Sequence, residues 1–447
     1  MTSTYSSRSA GEQSERAWGS SIILVLAPLR YPVDVVYVVL SRVFGDAKTT
    51  WLLQATIRLG SKSLKRWQSL NALMSNGRTK MNGGIYMRLM AQVEAHALGH
   101  SSNISEIDKS VFVQQLIDAA VQNNYQKDNV DDGIFAQKVL SQLLWYVTPS
   151  QREQYADLAA MRVKSVCNYE KPLLGNTSSE SSQAAALSSD GVVSLGQIFS
   201  ERQVTDVLGH LSDKPCKATH YFERSNEKLS TFREIQVSKA HYASYSREVV
   251  LSTPHLLEVC NATSLIDIVS SYLGCPATLQ SLNLFWTFST KQPGGVSVFH
   301  RDQNDFRSVS FYMFLSKVDL ESGSHEYIRG STNLEFCDRR IREANLSAVR
   351  GIDFFTPPWA QHSVDAVFQK DVSVMSGPAG TAFISDGYGL HRGVVPRGSD
   401  RLLFIADFGI MPLDVSGRNS RLTSSEFAQR IVNSPDSQFR NRVIIRA

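Results

Sequence analysis

Residues 294–305 read GGVSVFHRDQND, and the spacing inside this stretch decides how the second half of the chain folds. His300 and Asp302 are two residues apart; in extended backbone, alternate side chains share a face, so both reach one point while Arg301 turns away. An imidazole and a carboxylate converging on one point are part of a metal-ligand set. Residues 380–393, GTAFISDGYGLHRG, supply a third member, His391, expected at the end of another apolar, β-prone strand and followed by a Gly-containing turn. Two imidazoles and one carboxylate form a facial triad of the kind that holds mononuclear non-haem iron(II) and leaves positions open for oxygen and a bidentate organic acid.

Working outward, Arg401 lies ten residues after His391 and opens the strand-like run RLLFIADF. A guanidinium is planar, permanently charged and able to grip a carboxylate through two parallel hydrogen bonds, which suits it to hold the far end of a dicarboxylic co-substrate. Arg397, nearer to His391, sits in a Pro-Arg-Gly turn and is the weaker candidate. Short β-branched and aromatic runs at 192–195, 282–288, 309–315, 381–385 and 402–408, separated by Gly, Pro and Asn, predict a sandwich or barrel, a class that includes the cupin-like jelly roll.

Taken in order, DGVVSLGQIFSERQV (190–204), TKQPGGVSVFHRD (290–302), SFYMFLSKVDLESGSHEYIRGSTN (310–333), GTAFISDGYGLHRG and the downstream arginine resemble the phytanoyl-CoA dioxygenase family of iron(II)- and 2-oxoglutarate-dependent oxygenases. The resemblance covers residues 190–412, about half the chain. It implies an α+β protein whose catalytic domain is a double-stranded β-helix, a cupin-like jelly roll. It also implies iron(II) on His300, Asp302 and His391, 2-oxoglutarate on Arg401 with a hydroxyl contact from Ser310, and O2 as the third reactant. Hydroxylation of an unactivated C–H bond is the default reaction, since Asp302 is kept where halogenating relatives carry a small residue. Arg329 departs from the family, whose loop often has proline there.

The remaining composition bounds the partners. A length of 447 residues predicts two domains. Apolar residues at helical spacing from Trp51 to Val93 predict a mostly α-helical N-terminal domain over 1–174, a Ser-rich linker or loop over 175–189, and a polar tail over 413–447 with a helix near 424–432. Residues 1–90 carry twelve Lys or Arg against four Asp or Glu, and the chain as a whole is only +4. Such a segment is compatible with peripheral contact to an anionic membrane. The five cysteines are odd in number and widely spaced, with no CxxC pair, which predicts reduced thiols in a cytoplasmic protein. No finger or helix-turn-helix pattern points to nucleic acid. Arg301, Arg307, Arg329, Arg392 and Arg397 crowd the metal segments, so an anionic small-molecule or carrier- or lipid-linked substrate is one expectation.

Three other patterns are weaker. HRD at 300–302 and DFG at 407–409 spell kinase signatures, but Arg307 and the long interval between them break that context. Glu94, His96 and His100 sit at helical spacing beside Gly99, where a helix end explains histidine without a metal. His325 and His362 fall in expected loops near the metal segments, within reach of a substrate, but ordinary hydrogen bonding or solvent exposure accounts for each. Two alternatives to an oxygenase remain: a jelly roll that kept the scaffold as a binding or regulatory module without turnover, and a membrane or partner adaptor acting through the helical domain.

Overall fold

The structure, a computed structural model, describes residues 149–167, 178–219, 229–237, 240–289, 297–344, 361–412 and 421–446, with Val113, Gln114, Ile117, Val121 and Leu144 besides. The chain divides into two compact units, Met1–Ala119 and Ala120–Ala447. Of the first, Val113, Gln114 and Ile117 are described, all helical. The basic segment 1–90 and the Glu94, His96, His100 group lie outside the described residues. All further description concerns the second unit.

Two antiparallel sheets dominate it. The larger runs in the order β1 (Val192–Gln197), β9 (Thr381–Ser385), β6 (Ser308–Phe314), β11 (Arg401–Gly409), β5 (Thr278–Thr287), β4 (Tyr242–Tyr245), β2 (Cys216–Thr219) and β3 (Leu229–Ser230). The smaller runs β10 (His391–Gly393), β7 (His325–Ile328), β8 (Val372–Met375), and His300 extends it through a bridge to His391. From β5 onward the chain passes back and forth between the two: β5 large, His300 small, β6 large, β7 and β8 small, β9 large, β10 small, β11 large. The sheets meet across Tyr312, Phe314, Phe383 and Leu403 from the larger and Tyr327 from the smaller, all buried in one cluster. β6 and β11 are buried on both faces or nearly so, which explains why their sequences are almost continuously apolar instead of alternating. Helices Arg247–Ser252 and Pro435–Asn441 cover the outer side of β5.

Three expectations change. The Ser-rich stretch is a helix, α2 (Ser178–Asp190), and not a linker. Its Ala184 and Leu187, three residues apart on one face, are buried, and it ends where Gly191 takes a left-handed φ of 76°, as helix C-termini commonly do. The segment before it, α1 (Pro149–Cys167), falls within the second unit, so the boundary at 174 is too late. Arg152 on α1 is buried, donating to the carbonyls of Asp305 at 2.8 Å and Phe306 at 2.9 Å. The C-terminal segment has the expected helix, at Ser424–Ala428, but is more than a polar tail: a second helix, Pro435–Asn441, follows, and Phe427, Val443 and Ile444 are buried. Among the described residues the five cysteines form no disulfide, and no helix is long and apolar enough to cross a membrane.

Candidate metal centre

His300, Asp302 and His391 converge, with one ligand atom from each lying within 4.8 Å of the others. The convergence is built by backbone pairing. His300 N–H donates to the carbonyl of His391 at 2.9 Å and His391 N–H to that of His300 at 3.0 Å, while Asp302 N–H reaches the carbonyl of Gly387 at 2.7 Å. Phe299 and Leu390, the residues immediately before the two histidines, are fully buried in one apolar cluster with Ile328, Cys337, Val364 and Phe368. The ligand-bearing strands are thereby anchored one residue from each imidazole. Gly389 is required for close approach, because any side chain there would occupy the position of the Tyr327 hydroxyl.

The protonation of both rings follows from their partners. His300 Nδ1 faces the carbonyl of Val298 at 2.8 Å and His391 Nδ1 that of Gly389 at 2.9 Å. A carbonyl only accepts, so each Nδ1 carries hydrogen and each Nε2 keeps its lone pair, the arrangement found in metal-ligating histidines. The Nε2 atoms lie 3.8 Å (His300) and 3.4 Å (His391) from the Asp302 carboxylate. Asp302 keeps 39% of its side-chain surface accessible. Burial works against the charge on Asp302, but its hydrogen bond to His391 and the two nearby imidazoles prevail and hold it below the ordinary carboxylate range. Burial, then repulsion from His391, pushes His300 down to about 4. For His391, burial acts downward, but the bond to and charge of Asp302 win and raise it. Two neutral nitrogens and one anionic oxygen, all deprotonated at the converging atoms, fit a divalent iron ion.

The supporting shell reaches into α1. Asp386, on the turn before His391, is buried and accepts from Tyr388 N–H at 2.8 Å and from the Tyr272 hydroxyl. Arg152 stacks over the Tyr388 ring at 3.9 Å. Arg301, turned away from the metal as the spacing predicts, donates to the carbonyls of Ser331 at 2.8 Å and Tyr388. Arg307 pairs with Glu153 at 2.6 Å and Asp157 at 3.0 Å, and Arg392 with Glu326 at 2.7 Å. Three of the five arginines read as substrate contacts thus hold the scaffold together.

Arg401 is buried at the start of β11, opposite Thr287 in register. Its guanidinium donates to the carbonyl of Gly323 and lies 3.4 Å from the Thr287 hydroxyl. It also lies directly beneath Gly393, where a Cβ would come within 3.3 Å of Nη2, so it sits one inward-facing position along β10 from His391. Ser310 is elsewhere. It faces Asp407 across the β6–β11 pair, and its hydroxyl donates to that carboxylate at 2.6 Å. Asp407 is six residues along β11 from Arg401, roughly 20 Å of strand, so Ser310 and Arg401 cannot hold one short dicarboxylate between them.

Sequence reasoning missed two interior groups. Asp407, read only as part of a kinase-like triplet, is a buried carboxylate that accepts from Ser281 and Ser310, and burial raises its pKa. A charged residue on the inward side of the apolar run RLLFIADF was the available signal. His325 is not in a loop but opens β7, paired with Gly393, and it is buried with its ring 5.5 Å from that of His391. Burial, then the charges of His391 and Arg401, holds it well below its ordinary pKa.

No family profile matches the chain, and no curated protein matches it. Among solved structures, the chain is similar to the non-haem alpha-ketoglutarate-dependent epimerase SnoN of nogalamycin biosynthesis, at 12% identity over 52% of this chain and 83% of that one, with a TM-score of 0.36. The carbocyclase SnoK from the same biosynthesis matches at 13% identity, over 52% and 84%, with a TM-score of 0.32. EctD from S. alaskensis with bound Fe matches at 14% identity, over 62% and 86%, with a TM-score of 0.36.

Proposed function

We propose that this chain is a mononuclear non-haem iron(II), 2-oxoglutarate-dependent oxygenase of the phytanoyl-CoA dioxygenase type, built on a double-stranded β-helix, with hydroxylation as its reaction. One observation carries the reading: two imidazole Nε2 atoms, with their Nδ1 protons committed to carbonyls, converge with one carboxylate where His300 and His391 bridge the smaller sheet. The alternation of strands between sheets supports the double-stranded β-helix, because that fold interleaves two four-strand sheets, and β9-β6-β11-β5 against His300-β10-β7-β8 is such a pair.

Bound iron(II) with 2-oxoglutarate and O2 would supply an oxidant able to take hydrogen from an unactivated C–H bond, leaving succinate and carbon dioxide as co-products. The residues of this chain do the rest. His300, Asp302 and His391 would hold the iron and leave coordination positions for the reactants. Arg401, one inward position beyond His391 along β10, offers its guanidinium to the distal carboxylate of the co-substrate. Tyr312 and Phe383, stacked 4.7 Å apart within 2° of parallel, keep the interior beside His325 apolar.

Anaerobic titration of the apo-protein with iron(II) and 2-oxoglutarate tests the proposal. A visible metal-to-ligand charge-transfer band is expected only when both are present. Folded protein that binds iron(II) yet gives no band with 2-oxoglutarate would exclude the oxygenase and favour a binding scaffold.

A further inference from the structure

His325 is a polar group set where the packing otherwise calls for an apolar one. Its imidazole lies 4.8 Å from the Tyr312 ring and 5.0 Å from that of Phe383, and nearly parallel to His391, at 20°. Strand register places it opposite Gly393, the residue against which the Arg401 guanidinium rests. His325 thus occupies the interval between the metal ligand His391 and Arg401. Its Nε2 is enclosed and has no hydrogen-bond partner. Buried polar atoms are almost always paired, and an orphan inside a well-packed sheet interior points to a group that the polypeptide itself does not supply.

We propose that His325 is a positioning residue for the 2-oxo acid, donating from its imidazole to the distal half of the dicarboxylate between the metal and Arg401, and so helping the site choose a dicarboxylate over a monocarboxylate. The inference rests on the iron and 2-oxoglutarate reading above. An arginine alone supplies charge but grips from one side. A second donor on the opposite sheet fixes the direction in which the acid lies, because β7 and β11 belong to different sheets.

The test compares two acids in the iron(II)-loaded protein under anaerobic conditions: 2-oxoglutarate, and 2-oxobutyrate, which has the same chelating head and no distal carboxylate. In His325→Leu, affinity for 2-oxoglutarate is expected to fall about tenfold or more, while affinity for 2-oxobutyrate and for iron(II) alone stays within about twofold of wild type. His325→Gln, which restores an N–H at similar reach, should recover most of the loss. Equal weakening of both acids, or of neither, overturns the proposal. Should His325→Leu fail to fold, 15N-histidine spectra of the wild-type Zn(II)-loaded protein decide instead. One imidazole besides the two ligands must respond to 2-oxoglutarate and not to 2-oxobutyrate, and no such response overturns the inference. A wild type with no charge-transfer band is a different result: it removes the oxygenase reading, and this inference with it.

Discussion

The two ends of the sandwich interior hold a buried base and a buried acid. At one end Arg401 is buried beside Thr287, with His325 close by; at the other Asp407 is buried beside Ser281 and Ser310. The metal triad lies between them, near enough for His391 to act on His325 at one end and for Asp302 to act on Asp407 at the other. A dianionic co-substrate of the kind proposed would be drawn to the arginine end, so its direction would follow from charge before any contact is made. Arg301, Arg307 and Arg392 are occupied with the scaffold.

The largest effect that would break this comparison is expected at its midpoint. His391→Ala removes a ligand and should cost iron(II) affinity more than the roughly 10–100-fold typical of changes one layer farther out; calorimetric iron(II) binding close to wild type would mean that the triad is not a metal site. Arg401→Lys keeps the charge at the cationic end but loses the planar fork, so 2-oxoglutarate affinity should fall by about tenfold while iron(II) affinity is unchanged. A variant that loses both together would show that Arg401 only holds the fold.

Asp407→Asn sharpens the other end and should change least. Serine hydroxyls can turn from donating to accepting, so Ser281 and Ser310 can accommodate an amide, and 2-oxoglutarate affinity is expected to stay within about threefold. Stability should respond with a definite sign. Burial raises the folded pKa of Asp407 above its unfolded value of 3.8. Its ionisation therefore costs stability as pH rises from about 3.8 through the raised folded value, and the cost persists above it. Asp407→Asn should remove this decline and melt higher than wild type at neutral pH. A lower melting temperature there would show that the carboxylate organises this end of the interior.

Comparison of individual residues shows why some of this was readable. His300 and Asp302 could be paired from spacing alone, since a two-residue interval in extended backbone has one geometric outcome. Arg401 does open β11 as its sequence context suggests, whereas His391, expected at the end of a strand, opens β10 after the turn that follows β9. Ser310 was misplaced because the partner of a strand residue depends on register, and a register that puts Ser310 opposite Asp407 instead of near Arg401 is set by the neighbouring strands. His325 was unreadable for the same reason: its burial and its orphaned Nε2 arise from Tyr312, Phe383 and His391, which come from three other strands.

What the sequence by itself determined, then, was local: which residues alternate, which can ligate a metal, and which runs are apolar enough to become strands. Tertiary structure decided that the serine-rich segment is a helix, that Arg152 of α1 braces the segments around the triad, and that a buried arginine lies at one end of the interior and a buried acid at the other. The division has a physical cause. Side-chain periodicity is a property of one segment's backbone, whereas burial and charge environment are sums over neighbours that only the packed sheets bring together.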